Sequence, residues 1–182
     1  MLRKSEGREW FLAIAMGIFI LTPIFTLLFP RAIANTLHHS SSHIVLYVTN
    51  GSYIVYFIAC VLFFVSVLLV YLLWGNKSSI FLSIGALLLS GLCFYMASQH
   101  YIAIGTDAIS YNSLFSMKEH AHQWEDIEQV LYKPGSSGDS RWQYEFTFRD
   151  GEKLTVIENG YIEEVKQLII NRLKEENIDL KT

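Results

Sequence analysis

Apolar and polar positions divide this chain into two unlike halves. Residues 10–29 form an apolar run without a charged side chain, residues 53–74 form a second and residues 80–97 a third. Each approaches the roughly 20 residues that a helix needs to cross a hydrocarbon core about 30 Å thick. The pattern predicts three transmembrane helices, with Trp10, Tyr53, Tyr71, Trp74, Tyr95 and Tyr101 where interfacial anchors belong. Only "GNKSS" (75–79) joins the second and third runs, which forces an antiparallel hairpin. Along the third run Ser83, Ala86, Ser90 and Ala97 collect on one helical face, and small faces let helices approach closely in lipid.

Near residue 98 the period changes from helical to two. "YIAI" (101–104) and "AISY" (108–111) flank a Gly-Thr-Asp turn, and "KEHAHQ" and "IEQVLYKP" read as further strands. In "RWQYEFTFR" (141–149), Trp142, Tyr144, Phe146 and Phe148 alternate with polar residues, which marks a strand with one side on a core. Asp150-Gly151 predicts a two-residue hairpin turn into "EKLTVIE". Asn159 and Gly160 then open a helix whose apolar stripe is Ile162, Val165, Leu168, Ile169 and Leu173. The expected architecture is a membrane region over residues 1–98, followed over residues 99–182 by a small α+β domain. That domain has about six antiparallel strands and a C-terminal helix.

Charge sharpens the division. Residues 1–98 hold five basic and two acidic side chains, roughly +3, which leaves nine basic and fifteen acidic, roughly −6, for the remainder. An acidic domain argues against nucleic acid as a partner and against a clamp for anionic lipid headgroups. Arg3, Lys4, Arg8 and Lys77 fall on one side of the three spans, against Arg31 and Lys118 on the other. The positive-inside rule therefore favours a cytoplasmic N-terminus in the cell membrane and an external C-terminal domain. The alternative for the first run is a signal peptide, with "MLRKSEGREW" as its basic start and "RAIA" (31–34) as its cleavage site. Cys60 and Cys93 lie in apolar runs and read as small buried hydrophobes.

Residues that chemistry uses concentrate in "KEHAHQWEDIEQV" (118–130). A strand puts His120 and His122 on one side, so they could share a metal or a proton, with Glu119, Glu125 or His100 as further candidates. Spacing fixes no third ligand and no nucleophile motif occurs, so solvated histidines on the polar face of an edge strand are the expectation, with no metal or cofactor. Trp124, Ile127 and Val130 read as core, and Asp126 as an acceptor for turn backbone. The same stretch offers His120, His122, Trp124 and Asp126 as a weak interaction surface. His38, His39 and His43 cluster in the first loop without an acidic or thiol companion, and "HIVLYV" (43–48) reads as lying on the membrane or extending the second span. No Asp, Glu, Lys, Arg or His interrupts a span, which argues against a stand-alone pump or carrier.

The series "YIAI…DAISY…WEDIEQV…YEFTFRDGEKL" with a terminal helix resembles the bacterial pleckstrin-homology-like domains, which are often attached to short hydrophobic helices. The resemblance implies a membrane-associated module and brings no catalytic residues. Function is accordingly read as a non-enzymatic multi-pass membrane protein that presents an interaction or sensing domain to a protein or peptide partner. The alternatives are an accessory subunit of a transporter or peptide-resistance system, associating through its spans, and a metal-dependent enzyme built on His120 and His122.

Overall fold

A computed structural model describes residues 2–37, 43–74, 76–114, 116, 118–135 and 141–181. His38, His39 and the loop tip at 136–140 lie outside them. The contacts divide the chain into a helical unit and a β unit, the latter formed by residues 39–47, 102–112 and 118–182.

Helices α1 (Leu2–Leu37), α2 (Asn50–Leu72) and α3 (Lys77–Gln99) are long and apolar enough to cross a membrane. The chain thus has the helices of a multi-pass membrane protein. Helix α1 exceeds its expected run: it continues through Pro23 and Pro30 for 36 residues, about 54 Å. A proline removes a backbone donor and breaks a helix in water. In apolar surroundings a helix has no better place for its carbonyls, and prolines are tolerated within it. The "RAIA" segment is helical, and Ala34 is buried. Phe19 packs on Phe64 with ring centroids 5.7 Å apart, and the Arg8 guanidinium lies 4.9 Å from the centre of the Tyr71 ring.

Helices α2 and α3 form the hairpin, with Asn76 capping α3 by accepting from the Ser78 N–H at 3.1 Å. Their seam is a ladder of small residues. Ser66 donates to the Ser83 carbonyl at 2.9 Å and Ser83 donates to the Ser66 carbonyl at 2.7 Å. One heptad on, Ser90 donates to the Ala59 carbonyl at 2.8 Å. At the end of the seam Ser52 and Thr49 hold His100 Nδ1 at 2.7 and 3.0 Å, and burial pushes that imidazole below its ordinary pKa. Large side chains such as Trp10, Phe81 and Leu88 point outward, as lipid contact requires.

The β unit holds two four-stranded sheets. The first runs β1-β2-β3-β4, from β1 (His43–Tyr47), β2 (Tyr101–Gly105), β3 (Ala108–Asn112) and β4 (His120–Gln123). The second runs β7-β6-β5-β8, from β5 (Ile127–Pro134), β6 (Trp142–Phe148), β7 (Lys153–Ile157) and β8 (Leu180–Lys181). Helix α4 (Gly160–Glu175) contributes Ile162, Val165, Ile169 and Leu173 to a core shared with Ile104, Ile109, Val130, Tyr144, Phe146 and Val156. Asn159 caps α4 by accepting from the Tyr161 and Ile162 N–H groups at 3.0 and 3.1 Å.

Four details correct the sequence reading. Residues 43–47 do not lengthen α2: they pair antiparallel with β2, Val45 against Ile104 and Tyr47 against Ile102. Alternating burial of Val45 and Tyr47 in the core is what a strand offers and a surface helix would not. Among the described residues, 99–182 hold seven strands where about six were expected, with β1 as an eighth, and β8 is parallel to β5 rather than antiparallel. Trp142 keeps the face of Tyr144 but not its burial: it is exposed and stacks on Tyr132 at 4.7 Å, at the end of the sheet where the core has run out. Finally, the β6–β7 reversal takes residues 149–152 rather than two. Only Gly151 has positive φ, +85°, and Phe148 N–H donates to the Glu152 carbonyl at 2.9 Å.

Candidate functional site

Strand register places the two histidines where alternation alone misleads. His120 stands opposite Tyr111 and His122 opposite Ile109, and both partners are core residues of β3. The histidines therefore share the inward face, while Ala121 and Gln123 are exposed. This overturns the expectation of solvated rings: their side chains are 22% and 13% exposed. The physical reason is that β4 inherits its facing from β3, and "HAHQ" has no large apolar residue to announce which side is in.

The longer β6–β7 reversal supplies what the histidines meet. Asp150 Oδ1 accepts from the Glu152 N–H at 2.9 Å, which fixes the turn and sets the Glu152 side chain toward the first sheet. One oxygen, Glu152 Oε2, receives the Tyr111 hydroxyl at 2.8 Å and lies 2.6 Å from His120 Nδ1 and 3.2 Å from His122 Nε2. The other nitrogen of His122, Nδ1, faces Asp150 Oδ2 at 3.8 Å. Rings fix the orientation: His122 stacks on Phe148 with centroids 3.9 Å apart, and His120 stacks on Tyr111 at 5.2 Å. Hydrogen bonding from Tyr111, then from His122 and His120, holds the Glu152 carboxyl below its usual range against the opposing effect of burial. Burial, followed by the neighbouring Glu152 carboxylate, pushes the Tyr111 hydroxyl well up. Tyr111 therefore stays a neutral donor and Glu152 an anion.

Among the described residues, His120, His122 and Glu152 each offer a ligand atom within 4.8 Å of the others. Glu119 and Glu125, the carboxylates suggested by proximity in sequence, are exposed and outside this group, and His100 belongs to the helical unit. Glu152 escaped the sequence reading because 30 residues separate it from His122. Its only signal was a carboxylate directly after a hairpin glycine. Trp124 is core, with its Nε1–H donating to the Gly105 carbonyl at 3.3 Å, and Asp126 accepts from the Gln123 N–H at 3.1 Å. Trp124 is thus buried, while Asp126 is exposed. Ser83 and Ser90 face α2, so the small-residue face is covered from within the chain, while Ala86 beside them is partly exposed. The first-loop proposal for His39 and His43 rests on side chains outside those described.

A second polar group sits at the opposite end of the second sheet. Glu158 accepts from the Tyr132 hydroxyl at 2.6 Å and from Lys166 Nζ at 2.8 Å, and Lys166 then Tyr132 hold its carboxyl below the usual range. Every oxygen and nitrogen in this trio has a partner of opposite character, so it reads as a clasp between β5, β7 and α4. In comparisons with known proteins, the chain matches no family model, no curated protein and no solved structure.

Proposed function

We propose that this chain is a non-enzymatic, multi-pass membrane protein whose helices hold a pleckstrin-homology-like domain at the bilayer surface to bind a polypeptide partner. The observation that carries this reading is the double splice between helices and sheet. Strand β1 is separated from α2 by Val48 and Thr49 alone, and β2 follows α3 after His100 alone. Links so short keep β1 and β2 within two residues of the helix ends along the chain. A small β-rich domain with a C-terminal helix is also what the pleckstrin-homology resemblance implies. Charge favours a polypeptide over the alternatives, because an acidic domain repels nucleic acid and anionic headgroups alike. Strand β7 ends its sheet, with Lys153 and Thr155 exposed along it, and an open edge is a common docking site for an extended segment.

Pairing of β1 with β2 requires the two ends of the α2–α3 hairpin to emerge on one side, and the positive-inside rule favours the external side. A cysteine at position 137, in a background lacking Cys60 and Cys93, is expected to react with a membrane-impermeant maleimide in intact cells. Protection would reverse the orientation. A photo-crosslinking residue at Thr155, in the full chain in native membranes, is expected to give a discrete protein adduct. Absence of any adduct there and at the exposed Gln123 of β4 would refute the binding role.

A further inference from the structure

We propose that His120, His122 and Glu152 form a binding site for a zinc-type divalent metal ion, joining the two sheets of the β unit. Three observations on different elements converge on it. First, the ligand atoms are of the right kind and reach: His120 Nδ1, His122 Nε2 and a Glu152 oxygen lie within 4.8 Å of one another. Four-coordinate zinc with bonds of about 2.0–2.1 Å sets its ligands roughly 3.3 Å apart. The present separations are 3.2 Å for His122 and 2.6 Å for His120. Of these two gaps the His120 one has to open, by about 0.7 Å on that bond length, to admit the ion. Two imidazoles and one carboxylate leave a fourth position, and this donor set selects zinc-type ions over calcium or magnesium, which take oxygen ligands.

Second, the groups behind the ligands are those a metal site needs. A ligating histidine ordinarily directs its other ring nitrogen at a carboxylate or carbonyl, which fixes its orientation. His122 Nδ1 faces Asp150 Oδ2 at 3.8 Å, while Tyr111 donates to Glu152 at 2.8 Å. Asp150 thus acts as a positioning residue. Third, the rings are immobilised before any ion arrives, by Phe148 under His122 and Tyr111 beside His120. Their exposure is low enough to restrain them, while Glu152, 36% exposed, leaves a path from solvent. Since β4 belongs to one sheet and the β6–β7 turn to the other, the bound ion ties the sheets together.

The test uses the full chain in lipid nanodiscs, stripped with chelator, then incubated with zinc(II) or cobalt(II) and freed of excess metal. The wild-type chain is expected to retain one zinc per chain, to melt at higher temperature with zinc than without, and to give the ligand-field bands of four-coordinate cobalt. His122→Phe keeps the stack on Phe148 and deletes a ligand; Glu152→Gln keeps an acceptor for Tyr111. Each is expected to weaken zinc binding by more than tenfold and to abolish the thermal shift, and Asp150→Asn to weaken it by about tenfold. The variant His38→Ala/His39→Ala/His43→Ala should bind as the wild type does. If Glu152→Gln does not fold, His122→Phe decides. The proposal is overturned if the wild-type chain retains no zinc. It is also overturned if the first-loop variant alone loses it, or if folded His122→Phe binds unchanged.

Discussion

Ser90 distinguishes the two forces that could hold α2 against α3. Its side chain is 2% exposed, and its hydroxyl donates at 2.8 Å to the carbonyl of Ala59, itself fully buried. Ser90→Ala keeps the small volume and removes one hydrogen bond between helices. Within a membrane such a bond contributes about 0.6 kcal/mol on average and about 1.7 kcal/mol at most, because the separated helices find other partners. Ser90→Leu loses the same bond and adds an isobutyl group where the seam has no room, an overpacking cost of about 1–3 kcal/mol. The leucine variant should therefore lose several times as much stability as the alanine variant. Titration with sodium dodecyl sulfate in mixed micelles measures this, followed by the helical circular dichroism that α1, α2 and α3 dominate. Equal midpoints for the two variants would sink the argument that close approach, rather than hydrogen bonding, sets the seam. The reciprocal pair offers an internal check, since Ser66→Ala/Ser83→Ala removes both of its bonds and should still cost less than the single leucine.

Other outcomes follow from the β unit. The Tyr144 hydroxyl is fully buried with no hydrogen-bond partner among the described residues, so Tyr144→Phe should stabilise the protein by about 1 kcal/mol, read by thermal melting; a loss would show a hidden partner. Tyr47, 6% exposed in β1, should cost about 3 kcal/mol on truncation to alanine, and a neutral result would mean that β1 is dispensable to the sheet. Glu158 is held below the ordinary carboxylate value of 4.5 by Lys166 and Tyr132. Its ionised form therefore adds stability above the unfolded value, and that contribution is lost as pH falls through the lower folded one. Glu158→Gln should consequently be less stable near neutrality and show a flatter decline on the acid side. A profile parallel to the wild type would refute the linkage.

The helices were legible because membrane burial leaves an unmistakable mark: each span is a long run without charge, and α1 continues beyond its run through a proline that lipid tolerates. Strands β5 and β6 were equally plain, since Val130, Tyr144, Phe146 and Phe148 repeat at the period of the pleat. Strand β1 was not. "HIVLYV" is apolar at nearly every position, and an unbroken apolar stretch beside a span looks like more span. What distinguishes it is a partner at residues 101–105, and pairing at that distance leaves no local trace. The His120 and His122 pair was visible and its setting was not. Their inward facing is decided by register against Tyr111 and Ile109, and their acid companion arrives from a turn in the other sheet. Four-residue turns and two-residue turns share the Asp-Gly signature, so the sequence did not reveal that Glu152 would be swung across.

The pairing of β1 with β2 also imposes an order on biosynthesis. Strand β1 leaves the ribosome before α2 and α3, yet its hydrogen-bonding partner is made only after both. Until the hairpin has entered the bilayer and returned, β1 has no sheet to join. A chain in which only one of the two hairpin helices crosses strands the two halves of that sheet on opposite sides of the membrane. Pairing of β1 with β2 is therefore closed to molecules in which a single helix of the hairpin has crossed.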